Sequence, residues 1–388
     1  MIDNIEIKNF KSIKSKHFHL SNLNVLLGLN GQGKSSFIQS LLVLRQSIIR
    51  SDNRNGSLFL NGQYLDIGNS KDAFYQYAQK SDLSFDLTYK KEETLHFHYE
   101  YEIERNVFPA KRDIVDSDTL ENQIVYQKNY VALFSNEFQY LNAFRVKPES
   151  NYPKDHHSVV DHRNVGVHGQ YAAHFIETYY DEEVNFDNIL HPKSFVEDQI
   201  IKKTIANKTL INQVNLWLGE ISPGVNVRTT SINSDEVLLE YEFDQPTFGN
   251  TNKFKPVNVG FGITYALPIV TALLAAKSGS LLIIENPESH IHPRGQAELG
   301  KLIALVAQND VQIIIETHSD HILNGIRVAV KESDIDKEKV KLFYFKKIIE
   351  DLEQFSEISD ILLDDNGTLS NEPEGLLDEW GNQLLKLL

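Results

Sequence analysis

The sequence predicts an α/β fold built around a phosphate-binding loop, and three observations carry that expectation. Asn24-Val-Leu-Leu27 is apolar without alternation, as a strand buried on both faces of a parallel sheet should be. Lys34–Ile49 follows with apolar residues at helical spacing (Phe37, Ile38, Leu41, Leu42, Leu44). Between them, Gly28-Leu-Asn-Gly-Gln-Gly-Lys-Ser35 fits the pattern GxxxxGK[ST] in the strand–loop–helix context that gives it meaning. The glycines let backbone N–H groups fold around phosphate, Lys34 supplies positive charge to the β- and γ-phosphates, and the Ser35 hydroxyl is placed to ligate Mg²⁺. ATP and Mg²⁺ are therefore the expected ligands, with Asn30, Gly31, Gly33, Lys34, Ser35 and Ser36 as contacts.

The remaining elements follow in order. Ile2–Ile7 and Lys16–Leu20 read as short strands. From Leu83 the apolar period becomes two (Leu83, Phe85, Leu87, Tyr89), and after a polar Lys90–Glu93 turn it resumes at Leu95, Phe97, Tyr99 and Tyr101. That is an antiparallel hairpin with one wet face. Strands at Asn226–Ser231 and Val237–Phe243 and helices at Ala172–Tyr180 and Ile200–Leu218 are expected beyond it. The parallel-sheet pattern returns at Leu281–Ile284 and Val311–Ile315, with helices at Ile263–Ala276 and Arg294–Ala307. Val340–Phe345 reads as a strand, Asp364–Gly367 as a turn, and a helix closes the chain at Leu388. Two distant segments that alternate strand and helix imply one core assembled from both ends of the chain. The expected organisation is a first core half at 1–80, an inserted α+β lid at 81–255, a second core half at 256–330 and a tail at 331–388. No sustained heptads appear, which excludes a long coiled-coil arm.

Composition narrows the function classes. A chain of 388 residues exceeds the size at which one core usually stops growing, and 41% hydrophobic with 24% charged residues is ordinary for a globular protein. The longest apolar runs fall far short of a membrane span, and no leader pattern opens the chain, so a cytoplasmic protein is expected. The absence of cysteine excludes disulfides, thiolate metal sites and cysteine nucleophiles. A net charge of −16 argues against a general polyanion-binding surface, so any nucleic-acid contact is local or made through a partner.

Four further segments carry candidate chemistry. Leu281–Ile284 ends in Glu285-Asn286-Pro287-Glu288, and an acid at the carboxyl end of a parallel strand can hold Mg²⁺. Ile313–Ile315 ends in Glu316-Thr317-His318-Ser319, where His318 is positioned to touch a γ-phosphate or the attacking water. Asn258–Thr264, with Gly260, Gly262 and Thr264, opens a helix whose N–H groups either cap an anion or simply start the helix. The histidines at 156, 157, 162, 168, 290 and 292 fit no helical metal pair and read as solvated loop residues.

Taken together these segments resemble the ABC/SMC-like ATPases of the RecF and overcoming-lysogenization-defect type, AAA-family ATPases frequent in bacterial antiphage systems. The resemblance rests on Ile5–Ser12, the GLNGQGKSS loop, VGFGITYALPIV at 259–270, LLIIENPESHIHPRGQ at 281–296 and ETHSDHILNGIR at 316–327. It extends more weakly to Tyr140–Arg145, Val165–Gly169 and the tail Glu374–Trp380. It implies an ATPase head with a mixed, largely parallel sheet, an inserted α+β lid and a short C-terminal α/β tail. It also implies a homodimer with ATP sandwiched between subunits, or a higher oligomer, in which each phosphate loop faces the partner's Gly260–Thr264 segment. His318 becomes the switch histidine, Glu285 the Mg²⁺ ligand, and Lys11 a basic residue near the nucleotide; Gln63 and Gln76 are candidates for the metal-sensing glutamine. This sequence departs from the family's Asp-Glu pair with Glu285-Asn286. Asparagine cannot act as a base, so either Glu288 takes that role or hydrolysis is slow. No Toprim-like acid cluster follows Ser319, which points to a separate effector, a nuclease by analogy. The leading expectation is an ATP-gated subunit in antiphage defence; the alternative is a RecF-type ATPase that clamps DNA directly.

Overall fold

The computed structural model describes residues 1–50, 55–90, 93–111, 131–198, 203–245, 247, 249–371, 373, 376, 383 and 385–387. The middle of the turn expected at Lys90–Glu93, the tail landmark Glu374–Trp380 except Leu376, and most of the expected terminal helix lie outside these residues. The chain forms two compact units. The first comprises Met1–Phe138, Val340–Leu363 and Leu369–Leu388, the second Gln139–Lys339 and Asp364–Thr368.

In the first unit an antiparallel sheet runs in the order Ile13–His19, Ile2–Phe10, Asp82–Tyr89, Glu93–Glu100. Period-two alternation decides its faces: Ile5, Ile7, Phe18, Phe85, Leu87 and Phe97 are buried, while Glu6, Lys8, Asp86 and His96 share the other face. The uniformly buried strand Leu23–Leu27 pairs in parallel with Val340–Ile349, which pairs antiparallel with Gln354–Leu363. Helix α1 (Lys34–Ile48) follows the phosphate loop and is buried along nearly its whole length. Phe18 ties these layers together, its ring lying 4.5 Å from Phe37 on α1 and 5.5 Å from Phe343 on the tail strand.

This unit departs from the expected organisation at two places. The hairpin from Leu83 is not the start of a lid, because Asp82–Tyr89 pairs directly with Ile2–Phe10 and its apolar face is needed to cover the same core. Val340–Leu363 is not an appended tail, because its first strand is the parallel neighbour of the phosphate-loop strand. The sequence also hides the strand Gln354–Leu363, whose burial is patchy and lacks strict alternation.

The second unit is built on the parallel pair Leu281–Glu285 and Gln312–Glu316, in register from Leu281↔Gln312 to Glu285↔Glu316. Its helices are α2 (Ala172–Thr178), α3 (Leu210–Ile221), α4 (Phe261–Ala275), α5 (Pro293–Ala307) and α6 (Asp320–Lys331). An antiparallel sheet combines Val225–Ser231, Glu236–Gln245 and Asn151–Pro153. The helix expected over 200–218 begins only at Leu210; Lys203–Ala206 is instead a strand paired with Phe195–Asp198. Asn207 separates the two, its side-chain oxygen accepting from the Thr209 amide and its carbonyl from the Gln213 side chain. Because α3 packs on α4 inside one unit, residues 139–255 form no separate lid. Among the described residues no helix is long and apolar enough to cross a membrane.

Helices α5 and α6 touch backbone to backbone. A Cβ at Gly325 would lie 2.1 Å from the Ala297 carbonyl oxygen, and one at Gly300 would lie 2.4 Å from that of Ile322. Helix propensity alone favours Gly325→Ala by about 1 kcal/mol, whereas overpacking a close helix contact costs about 1–3 kcal/mol. A net loss of stability is expected, read as an earlier midpoint in urea denaturation with unchanged slope.

Candidate functional site

In the first unit the phosphate loop is shaped by three left-handed glycines, Gly28 (φ 132°), Gly31 (φ 74°) and Gly33 (φ 105°). Two of them are also pinned by neighbours. A Cβ at Gly28 would meet the Phe345 carbonyl oxygen at 2.4 Å, and one at Gly33 the hydroxyls of Ser356 at 2.1 Å and Ser12 at 2.6 Å. Above Gly31 a Cβ would meet nothing within 4 Å, so that part of the loop is open. Lys34 is only 2% exposed, and its ammonium donates to the carbonyls of Gly28 at 2.7 Å and Leu29 at 2.9 Å. Anchored on the loop's own carbonyls, the charge sits where a phosphate oxygen can compete for it.

Asn30, Gly31 and Ser35 are exposed, Ser35 in the first turn of α1, where a hydroxyl can reach an Mg²⁺ ion. Ser36 differs from expectation: it is buried, with its hydroxyl 3.1 Å from that of Ser12, and so supports the loop from behind. Lys11 occupies a left-handed turn position (φ 51°), and its amide donates to Ala73 at 2.8 Å. Burial lowers the pKa of its ammonium while Asp72 raises it.

Sequence reading missed the residues that brace this loop. The Ser356 hydroxyl donates to the Gln32 carbonyl at 2.7 Å, which leaves its oxygen to accept from the Ser12 hydroxyl at 2.8 Å, and the Gln32 side chain accepts from the Lys347 amide. Nothing in the local pattern of 346–356 marks them, because their role exists only through strand pairing with the far end of the chain.

In the second unit, Glu285 ends its strand as expected. One carboxylate oxygen accepts from the Tyr140 hydroxyl at 3.0 Å and the other from the Ala143 amide at 3.2 Å. Burial pushes its pKa up, opposed by those two donors and by Arg145. Asn286 takes a left-handed conformation (φ 44°), which asparagine tolerates better than most residues, while its amide still donates to the Glu316 carbonyl at 2.8 Å. The carbonyls of Glu285 and Asn286 are both collected by Arg145, whose two terminal nitrogens donate at 2.5 Å and 3.0 Å. Burial draws the Arg145 guanidinium down to about 10, so it remains charged at neutral pH.

Glu288 holds the neighbouring strand end, accepting from the Thr317 hydroxyl at 2.7 Å and the His318 amide at 2.8 Å. The structure thus brings Glu285, Asn286, Glu288 and His318 into one hydrogen-bonded cluster, with Tyr140 and Arg145 as members that the sequence marked only as family landmarks.

Gly260 is the N-cap of α4 and a Cβ there would meet nothing within 4 Å, so that helix start is open. At Gly262 a Cβ would lie 2.5 Å from the His290 carbonyl oxygen, which presses the helix start against the loop after Glu288. Thr264 differs from the expected ligand role: it is 2% exposed and turned inward, facing the buried Tyr241 hydroxyl without a direct hydrogen bond. His290 and His292 are not merely solvated loop residues. The His290 ring packs 4.7 Å from Tyr265, and His292 caps α5. Both line a cavity of about 530 Å³ together with Gly260, Gly262, Phe243 and Phe254.

A family model described as "AAA domain, putative AbiEii toxin, Type IV TA system" matches residues 23–324, and a second, described as a protein of unknown function (DUF3696), matches residues 335–387. No curated protein matches the chain. Among solved structures, an SMC head bound to the C-terminal winged-helix domain of ScpA is similar, with 13% identity, a TM-score of 0.56 and coverage of 94% of this chain and 98% of that one. An SMC head domain from Pyrococcus furiosus with an extended coiled coil, bound to the C-terminal domain of ScpA, matches at 12% identity and a TM-score of 0.44, covering 100% of this chain and 99% of that one.

Tyr140→Phe tests the electrostatics of Glu285. The Tyr140 hydrogen bond stabilises the charged carboxylate, so its loss raises the Glu285 pKa further above the ordinary carboxylate range. Should Glu285 lend an oxygen to a metal ion in ATP turnover, turnover would require its charged form and fade as pH falls through that pKa. The acid limb of the pH–rate profile is therefore expected to move to higher pH in Tyr140→Phe; an unmoved limb would mean that Glu285 does not control it.

Proposed function

The chain belongs to this AAA-domain family and is an ATPase of AAA/SMC-head type, and on that premise we propose that it is an ATP-gated switch. Two copies close on ATP, and closure controls a separate effector protein, a nuclease, in prokaryotic antiphage defence. The observation that carries the reading is the phosphate loop, where a buried Lys34 is held on loop carbonyls that phosphate can replace, beneath an open rim at Asn30 and Gly31.

Each half has a distinct task. Lys34 and the loop amides bind the phosphates, and Ser35 supplies a hydroxyl to Mg²⁺. Glu285 supplies a carboxylate oxygen, and His318 reports the γ-phosphate. Taken each by itself, the Ser35 hydroxyl and the Glu285 carboxylate offer the kind of oxygen that a hard cation takes. Val340–Leu363 walls the phosphate loop, which makes this segment part of the nucleotide-binding unit and not itself an effector. The family description supports the link to defence. Asn286 at the usual base position and a Glu288 already holding two donors favour slow hydrolysis, which suits a switch better than a motor.

ATP binding, turnover and sedimentation of wild type, Lys34→Ala, Glu285→Gln and Glu288→Gln test this. Lys34→Ala is expected to weaken ATP binding on the order of 10- to 100-fold, the worth of charged hydrogen bonds of about 1.5–3 kcal/mol, and to abolish ATP-dependent dimerisation. Full binding and turnover in Lys34→Ala would sink the proposal. Steeply salt-dependent duplex-DNA binding by the chain alone would replace the effector model with a direct DNA clamp.

A further inference from the structure

The wet face of the first unit's antiparallel sheet carries a rank of titratable side chains in register. His17 pairs with Glu6, Glu6 with Asp86, and Asp86 with His96, while His98 lies two residues along the same edge strand. Directly opposed residues on neighbouring strands have Cβ atoms about 5 Å apart, and diagonal ones about 7–8 Å, within reach of imidazole. Here the reach is realised. One oxygen of Asp86 lies 2.6 Å from His96 Nδ1 and 3.1 Å from His98 Nε2, and the three potential ligand atoms are all within 4.8 Å of one another. Among the described residues this is the one group of three or more histidine and acidic side chains with ligand atoms so gathered.

We propose that Asp86, His96 and His98 form a binding site for a divalent transition-metal ion of the zinc class. Two imidazoles and one carboxylate suit zinc, which takes nitrogen and oxygen ligands at about 2.0–2.2 Å and keeps a fourth position open when only three protein ligands are present. Tetrahedral coordination sets ligand atoms about 3.3 Å apart, so His96 Nδ1 and the Asp86 oxygen, 2.6 Å apart, need to part by about 0.7 Å. The open position falls to solvent, since the His96 side chain is 53% exposed and that of His98 32%, against 19% for Asp86. Glu6, on the other side of Asp86, is engaged with Lys8 at 2.8 Å, which leaves Asp86 as the carboxylate for this site. Metal binding releases to solvent any proton that the imidazoles share with Asp86, leaving neutral rings and an ionised acid as ligands.

The site stands apart from the phosphate loop, so its occupancy is readable without ATP turnover. Full-length protein treated with EDTA and re-equilibrated with micromolar Zn²⁺ is assayed for bound zinc after gel filtration, alongside H96N, H98N, D86N and the H96N/H98N double variant. Wild type is expected to retain one equivalent that the double variant lacks, with affinity reduced at least about tenfold in each single variant. Zn²⁺ should raise the melting temperature of wild type and not of the double variant. ATP binding, unchanged in each variant, certifies its fold, and the single variants keep the test decisive if the double one does not fold. H157N/H162N removes another close histidine pair, with rings 4.2 Å apart, and should leave the stoichiometry untouched. Zinc retained by the double variant, zinc lost in H157N/H162N, or no zinc bound by wild type would each overturn the assignment.

Discussion

The loop at Gly28–Ser35 has no room for a side chain at two of its glycines, and the nearest atoms that deny the room belong to the far end of the chain. Phe345 presses its carbonyl on Gly28, and Ser356 presses its hydroxyl on Gly33. A nucleotide loop of this kind usually draws its shape from the strand before it and the helix after it. Here a third support is added by strands that enter the unit only after Lys339, once the chain has passed through Gln139–Lys339 of the second unit. The loop's final geometry therefore depends on contacts of high sequence separation, the slow kind to form. The segment matched by the family model of unknown function includes these strands, and bracing the loop is a structural role that the fold assigns to them directly.

The acid cluster of the second unit meets a different constraint. Several carboxylates are gathered at neighbouring strand ends with one buried arginine, and burying ions unpaired costs several kcal/mol each. Arg145 is not spent on forming salt bridges. Its terminal nitrogens go to the Glu285 and Asn286 carbonyls, which the left-handed turn at Asn286 leaves pointing out of the strand ladder. The carboxylates are held by neutral donors instead, Tyr140 and the Ala143 amide for Glu285, Thr317 and the His318 amide for Glu288. The result meets each of these carboxylate oxygens with a neutral donor while Arg145 satisfies the backbone. It also accounts for asparagine at 286 on conformational grounds alone, because a left-handed position admits it readily.

Much of this was legible in the sequence wherever period and punctuation agree. Leu23–Leu27, α1, Leu281–Glu285, Gln312–Glu316, α4 and α5 fall within a few residues of where apolar runs and helical spacing put them. The phosphate loop and the acid at Glu285 were readable because each is a local pattern at a strand end. What escaped is what strand pairing decides. The hairpin from Asp82 has the right alternation, but nothing local says that its partner is Ile2–Phe10. The same applies to the serines behind the loop and to Asp86, His96 and His98, which become neighbours only through register. Thr264 escaped for a simpler reason: a helix start fixes which residues are near an anion, but the helix's rotation fixes which of them faces inward.

Glu288 is where these constraints meet the proposed switch. Both of its oxygens are engaged, one with the Thr317 hydroxyl and one with the His318 amide, so in this arrangement it is a brace for the histidine segment and not a free base. Each of those bonds, worth about 1.5–3 kcal/mol as a hydrogen bond to a charged group, favours the charged carboxylate and so makes it a weaker base. Releasing the His318 amide frees the very segment proposed to sense the γ-phosphate. On the proposed reading, base function and sensor position draw on one carboxylate, since Glu288 also holds the His318 segment. With Asn286 unable to act as a base, the proposed slow hydrolysis would rest on this single side chain.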